Sequence, residues 1–388
     1  MRNALVDSLR RSRAIRSPAV EAAFRRVPRH AFLPDLTPAD VYRDDAIITH
    51  REPDGLPSSS SSQPSIMAIM LEQLELASGH RVLEIGAGTG YNAALIREIV
   101  GPGGRVVTVD IQPDVAEEAA SNLTAAGYED VEVVAADGGF GHPELAPYDR
   151  IIVTASASDI PPHWRDELVE GGVLVVPLRL RTQCLSVAFV RAGDSLRSRS
   201  IQCSGFMYLR GAFGVPERGI PMGDGLFLTG PEAERVPLDL LRDLLSQTPR
   251  RVGGLVVPVD SFGLGGGLGI YLALQEPGVV DIFSVVPERW GFHAVSGVLD
   301  VAARSLCLIR RDAVVVYGTD DAAGRVRRRA EEWAGMGSPG VERLRVEVLP
   351  AVIDPGLSAT EGSASGPWFL RQQWSNVVVW FDQGFRGM

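Results

Sequence analysis

The sequence predicts a doubly wound α/β domain with a largely parallel sheet, followed by a smaller α+β unit. Residues 81–91 read Arg-Val-Leu-Glu-Ile-Gly-Ala-Gly-Thr-Gly-Tyr, an apolar strand that runs into a glycine-rich turn and then a helix. From there to residue 177 apolar strand segments alternate with helical segments through short crossovers, the pattern of a parallel sheet covered on both faces. After Phe213 the alternation stops, and the Gly- and Pro-rich stretch Pro216–Pro231 reads as a boundary. These observations divide the chain into units of 1–215 and 216–388, as its 388 residues also suggest.

Residues 1 to about 30 read as helices, the second closed by Pro28. Residues 31–63 carry Pro34, Pro38, Pro53 and Pro57 and then five consecutive serines, Ser58–Ser62, and read as irregular. Pro64 opens a helix whose apolar face is Ile66, Met67, Met70, Leu71 and Leu74. Strands are predicted at 81–85, 105–109, 131–135, 150–154 and 173–177, a helix at 161–169, and an antiparallel pair at 185–191 and 198–205. In the second unit helices are expected at 238–245 and 324–334, with strands at 254–258, 305–309, 313–317, 343–349 and 376–381. Gly263–Gly269 lacks the Gly-Lys-Ser/Thr ending of a phosphate cradle and reads as a turn or hinge.

Composition narrows the function classes. A 45% hydrophobic and 22% charged chain is globular with ample core. The formal net charge of −10 argues against nucleic-acid and anionic-membrane partners. All 38 basic residues are Arg, and the run Arg2, Arg10, Arg11, Arg13, Arg16, Arg25, Arg26 and Arg29 reads as a solvated helical face. Three separated cysteines and six histidines show neither disulfide nor metal spacing. The absence of a targeting signal or long apolar run sets a cytoplasmic expectation.

The glycine turn carries the chemistry. Gly86, Gly88 and Gly90 let a ligand approach the backbone and permit positive φ. The next strand ends in Asp110, twenty positions beyond Gly90, where a carboxylate can accept both hydroxyls of a ribose. The Glu-x-Gly-x-Gly-x-Gly spacing differs from that of nicotinamide and flavin enzymes and looks like the S-adenosylmethionine (SAM) site of a class I, Rossmann-like methyltransferase. Cofactor candidates are therefore Glu84, Gly86, Ala87, Gly88, Thr89, Asp110 and Ile111, with Asp137 and Gly138 at the adenine end.

Further segments resemble the protein-L-isoaspartate O-methyltransferase family: Val27–Phe32, Tyr42-Arg43-Asp44, Ser62-Gln63-Pro64, Asp137-Gly138-Gly139, Pro147–Ala155, Gly171–Pro177 and Phe206–Gly211. The resemblance covers roughly residues 1–213 and implies a seven-stranded sheet, SAM as methyl donor, S-adenosylhomocysteine as product and a carboxylate acceptor. Such an acceptor is already ionised at pH 7 (reference pKa ~3.9), so the enzyme needs no general base and must only aim it. Ser62 matches the family's hydroxyl at that step, although a Ser before Gln63-Pro64 is also a natural helix cap. Ser60, Ser61, Thr154 and Ser156 are candidates for the substrate wall.

Two features depart from the repair family: the long, charged approach Ile47–Pro57 to the serine run, and the unit beyond residue 215. Together with Ser58–Met70, the Glu84–Asn92 motif, Tyr42–Ala46 and the overall length, they resemble the methyltransferases of ribosomally made modified peptides, in particular the lanthipeptide FxLD type. That resemblance implies esterification of an Asp in a cyclised precursor peptide, leading to a succinimide or isoaspartate. The alternative is repair of isoaspartate in damaged proteins, and a third reading is a non-catalytic peptide scaffold. In the second unit Trp290, Phe292, Trp368, Trp374 and Trp380 could line a peptide groove, though aromatics at such spacing also suit a core.

Overall fold

A computed structural model describes residues 1–52, 57–214, 219–229, 233–253, 259–260, 263–264, 266–310, 313–353 and 366–382. The chain begins with helices α1 (Arg2–Arg11), α2 (Pro18–Arg26) and the single turn α3 (Pro38–Val41). Ser17 and Thr37 cap the second and third of these, each ahead of a proline at the first helical position. Residues expected to be irregular then form a hairpin, β1 (Ile47–Arg51) with β2 (Pro57–Ser61). Helix α4 (Pro64–Leu74) follows and buries nearly its whole length.

The predicted alternation comes next. β3 (Arg81–Ile85), α5 (Tyr91–Val100), β4 (Arg105–Asp110), α6 (Pro113–Ala125), β5 (Glu132–Ala135), β6 (Tyr148–Val153) and the short α7 (Pro162–Asp166) lead to β7 (Leu168–Leu180). β8 (Gln183–Ala192) and β9 (Ser195–Cys203) close this part as antiparallel strands. β3 to β7 are parallel, and β3 lies between β4 and β6. Chain order reverses between β3 and β6, so a crevice opens above their carboxyl ends, where ligands bind in such sheets.

The second part contains the hairpin β10 (Ile220–Gly223) and β11 (Leu226–Thr229), helix α8 (Leu238–Leu245), β12 (Arg250–Arg251) and the small pair β13 (Val259–Asp260) and β14 (Gly263–Leu264). Helix α9 (Gly266–Gln275), β15 (Val279–Ser284), α10 (Pro287–Trp290), β16 (Ala294–Asp300), β17 (Ser305–Ile309), β18 (Val314–Gly318) and α11 (Asp321–Gly335) follow. Its seven-stranded antiparallel sheet runs β10-β11-β15-β16-β17-β18-β12. α8 covers one face with Leu241, Leu244 and Leu245. The strand expected at 254–258 lies outside the described residues.

The remaining strands, β19 (Leu344–Pro350), β20 (Trp368–Arg371) and β21 (Ser375–Phe381), do not join that sheet. β19 pairs with β9 and carries β21 and β20 outward, so the first sheet has ten strands rather than the seven that the resemblance implied. Hydrogen bonding thus crosses back over the expected boundary near 215. Helix α9 strengthens the link, since Leu268, Ile270, Tyr271 and Leu272 are all buried in one core shared by both sheets. Of the glycine run expected as a turn, Gly263–Leu264 form β14 and Gly266–Gly269 begin that helix. A Cβ on Gly267 would lie 1.7 Å from the Pro339 carbonyl oxygen, so the glycine there permits close backbone approach.

Candidate functional site

The crevice above β3 and β6 is a cavity of about 1450 Å³. Gly86, Ala87, Gly88, Thr89, Asp110, Ile111 and Gly138 line it, as do Ser58–Ser62 of the hairpin and Thr229, Asp281 and Ser296 of the second sheet. The glycine turn is held from below. Gly86 (φ +100°) has no room for a side chain, because a Cβ would lie 2.2 Å from Thr154 Oγ1. That hydroxyl bonds the carbonyls of Ile85 and Gly86 at 3.0 and 2.8 Å, so Thr154 props the turn as well as lining the cavity. Gly138 packs on Ile85 in the same manner, a Cβ there lying 2.5 Å from its side chain.

Asp110 is aimed by two backbone amides: Gly88 N donates to Oδ2 at 3.2 Å and Gln112 N to Oδ1 at 3.1 Å. Each oxygen retains lone-pair capacity for a ribose hydroxyl. Glu84 is fully buried and is not among the residues that line the cavity. Asn92 Nδ2 and Thr108 Oγ1 each donate to it at 2.7 Å, and burial pushes its carboxyl up to about 7. Its work is to orient Asn92, a cavity-lining residue that sequence reasoning missed. Asn92 Oδ1 is buried without a partner among the described residues and suits an ammonium donor. The signal was present as a buried acid at a strand end followed by Asn in the first turn of the next helix. Asp137 has both oxygens engaged, by Gly139 N at 2.9 Å and Ala212 N at 2.7 Å. It ties the closing segment to the sheet, and its neighbour Gly138 is the one that lines the cavity. The glycine cradle, the aimed Asp110 and the unpartnered Asn92 oxygen fit a nucleoside with a charged amino-acid arm.

The serines owe their position to Arg29. This residue, expected on a solvated face, is completely buried. Its guanidinium donates to the carbonyls of Val41 at 2.8 Å and Ser62 at 3.0 Å, and to Ser61 Oγ at 3.3 Å. It binds the end of β2 to the Tyr42–Asp45 loop, and burial lowers its pKa from the ordinary arginine value. Ser61 therefore faces inward, Ser60 approaches the glycine turn, and Ser62 opens on the cavity. The Ser60 carbonyl lies 3.3 Å from where a Gly88 Cβ would be. Ser62 does not cap α4. Gln63 occupies that position, and Asp44 Oδ1 takes the Ser65 amide at 2.8 Å. Arg210 latches the hairpin by reaching Glu52 at 3.0 Å and the Ser58 carbonyl at 3.2 Å. Ser156 is buried beside Tyr208 and does not line the cavity, and neither do Trp290, Phe292, Trp368, Trp374 or Trp380. Trp368 instead packs between Tyr271 and Phe381.

Comparison with known proteins agrees with this geometry. A family model described as protein-L-isoaspartate(D-aspartate) O-methyltransferase matches residues 1–209. A protein-L-isoaspartate O-methyltransferase of Archaeoglobus fulgidus is 43% identical over 51% of this chain and 88% of its own. One from Thermotoga maritima is 41% identical over 45% of this chain but only 55% of its own, so it too extends beyond the matched segment. A solved structure titled protein-L-isoaspartate O-methyltransferase is 24% identical and overlays 89% of this chain and 96% of its own at a TM-score of 0.54. At that identity it speaks to fold alone, and the overlay reaches well past residue 214.

Proposed function

Because the chain belongs to the protein-L-isoaspartate(D-aspartate) O-methyltransferase family, a family of SAM-dependent carboxyl methyltransferases, we propose that it esterifies the free α-carboxylate of L-isoaspartyl residues in peptides or proteins. SAM supplies an electrophilic methyl on sulfur and leaves as S-adenosylhomocysteine once the ester oxygen has taken that methyl. Gly86, Gly88 and Thr89 would cradle it, Asp110 would take the ribose hydroxyls and Asn92 the methionyl ammonium. The acceptor carboxylate arrives ionised, so no residue has to remove a proton. The Ser62 hydroxyl donates to one carboxylate oxygen and leaves the other aimed in line. The hairpin, latched by Arg210 and seated on the glycine turn, keeps water out, which favours a step that neutralises charge.

The observation that carries this reading is the shared cavity: Ser62 and the cofactor turn line one space, with β2 backbone against Gly88. The second part of the chain does not argue against repair, since a solved protein of the repair name shares the extended fold. The modified-peptide reading keeps one support. The cavity of about 1450 Å³ exceeds the roughly 300–1,000 Å³ of ordinary small-ligand pockets. The test compares two otherwise identical peptides, one with L-isoaspartate and one with Asp, incubated with SAM and scored for a base-labile methyl ester by mass. Methylation of the isoaspartyl peptide alone is expected, and methylation of neither or only of the Asp form would reject the proposal.

A further inference from the structure

The cavity has a second polar centre, away from the glycine turn. Arg179, near the end of β7, lines it with its guanidinium stacked 4.7 Å from the ring centre of Tyr208. That guanidinium is poorly satisfied. Its Nε is buried without a partner among the described residues, and one amino group lies 3.4 Å from the Thr182 carbonyl oxygen. The same amino group is 4.0 Å from Asp281 Oδ2 on β15, too far for a hydrogen bond. Asp281 itself accepts from Ser296 Oγ at 2.6 Å, which engages one of its oxygens, and burial pushes its carboxyl up to about 6. The Thr182 hydroxyl, also on the cavity wall, is likewise buried and unpartnered among the described residues. The guanidinium thus keeps donors without a close acceptor among the described residues, and the group that complements it is a planar carboxylate.

We propose that Arg179, with Thr182, binds an acidic side chain of the acceptor peptide, and that Asp281, 4.0 Å from the guanidinium, is the internal charge with which that side chain competes. The proposal rests on the acceptor being a peptide, as above. β7 is two strands from β3, so the subsite lies about 10 Å across the sheet from the cofactor turn at a strand spacing of about 4.8 Å. An extended peptide advances about 3.3–3.6 Å per residue. The favoured acid is therefore about three positions from the methylated residue.

The probes are fluorescein-labelled decapeptides with one L-isoaspartyl residue and either Glu or Gln three positions to its N- or C-terminal side. Binding is read by anisotropy on full-length protein saturated with S-adenosylhomocysteine, and methylation is followed separately. In one of the two placements the wild type is expected to prefer Glu about tenfold, and Arg179→Gln to bring the ratio to about one. Asp281→Asn, which removes the internal competitor, is expected to raise it twofold or more. Equal wild-type affinities, or a preference that survives Arg179→Gln, overturn the subsite. If Arg179→Gln does not fold, Asp281→Asn decides: an unchanged ratio overturns the proposal and a raised one upholds it. Absence of methylation on every peptide would count against the acceptor reading, whereas the binding ratio judges the subsite.

Discussion

The two walls of the cavity are built on opposite principles. On the cofactor side most of the buried polar groups are tied down: Glu84 by Asn92 and Thr108, Asp110 by two amides, Thr154 by the turn it props, with Asn92 Oδ1 alone of these left open among the described residues. On the opposite side Arg179 Nε and the Thr182 hydroxyl have no partners among the described residues, and the Asp281 carboxylate stands 4.0 Å from the guanidinium. A cofactor that is the same at every turnover rewards a fully preorganised site. On the reading proposed above, an acceptor that varies in sequence would be met instead by donors left open to it. Between the two walls, Arg29 fixes the one element that must serve both, the serine strand.

If Arg29 is that linchpin, replacing it gives the largest effect. Arg29→Met leaves several buried carbonyls without donors and should cost about 3 kcal/mol or more in stability, measured by denaturant unfolding. A loss of under 1 kcal/mol would mean that the hairpin is held elsewhere.

Next is the buried acid of the cofactor wall. Burial lifts Glu84 from 4.5 to about 7, so between those values the folded chain keeps a proton that the unfolded chain has released. Stability should fall as pH rises through that window, by up to about 3 kcal/mol at 1.36 kcal/mol per pH decade. Glu84→Gln should flatten this slope in unfolding titrations. A slope that persists would assign it to another group.

The glycine turn sharpens the contrast further. Gly86→Ala places a Cβ against Thr154 in a left-handed backbone, a strain of about 1–3 kcal/mol. SAM affinity by calorimetry should drop about 10- to 100-fold, and an unaltered affinity would show that the turn yields freely. The smallest effect belongs to the aiming hydroxyl. Ser62→Ala removes one hydrogen bond to a charged group and should lower kcat about tenfold while SAM affinity stays within about twofold. A parallel loss of SAM binding would place Ser62 on the cofactor wall instead.

Much of the cofactor wall was legible because its elements are local. The strand at 81–85, its glycine turn and Asp110 are set by apolar runs and backbone freedom that a short window contains. The serine strand was not, since five serines have little β propensity and become a strand through pairing with β1 and the grip of Arg29. Arg29 was hidden in a run of solvated arginines that share its chemistry but not its burial. Helix α9 opens on glycines that suggest a turn, and the close approach of Pro339 explains the one at 267. The addition of β19 to β9 joins residues some 150 positions apart (Val348 and Leu196), a pairing that no local pattern announces. Asp137 was expected at the adenine end, whereas it does not line the cavity and the amides of Gly139 and Ala212 each donate to one of its oxygens.

The central claim is that the acceptor is an isoaspartyl carboxylate, and a competition assay tests it most directly. One tube would hold limiting SAM, an L-isoaspartyl peptide and an equimolar cyclised precursor peptide whose acceptor is an ordinary Asp. The account predicts that mass spectrometry finds the methyl ester on the isoaspartyl peptide. Esterification or dehydration confined to the cyclised peptide would contradict it and make the chain a dedicated peptide-maturation enzyme.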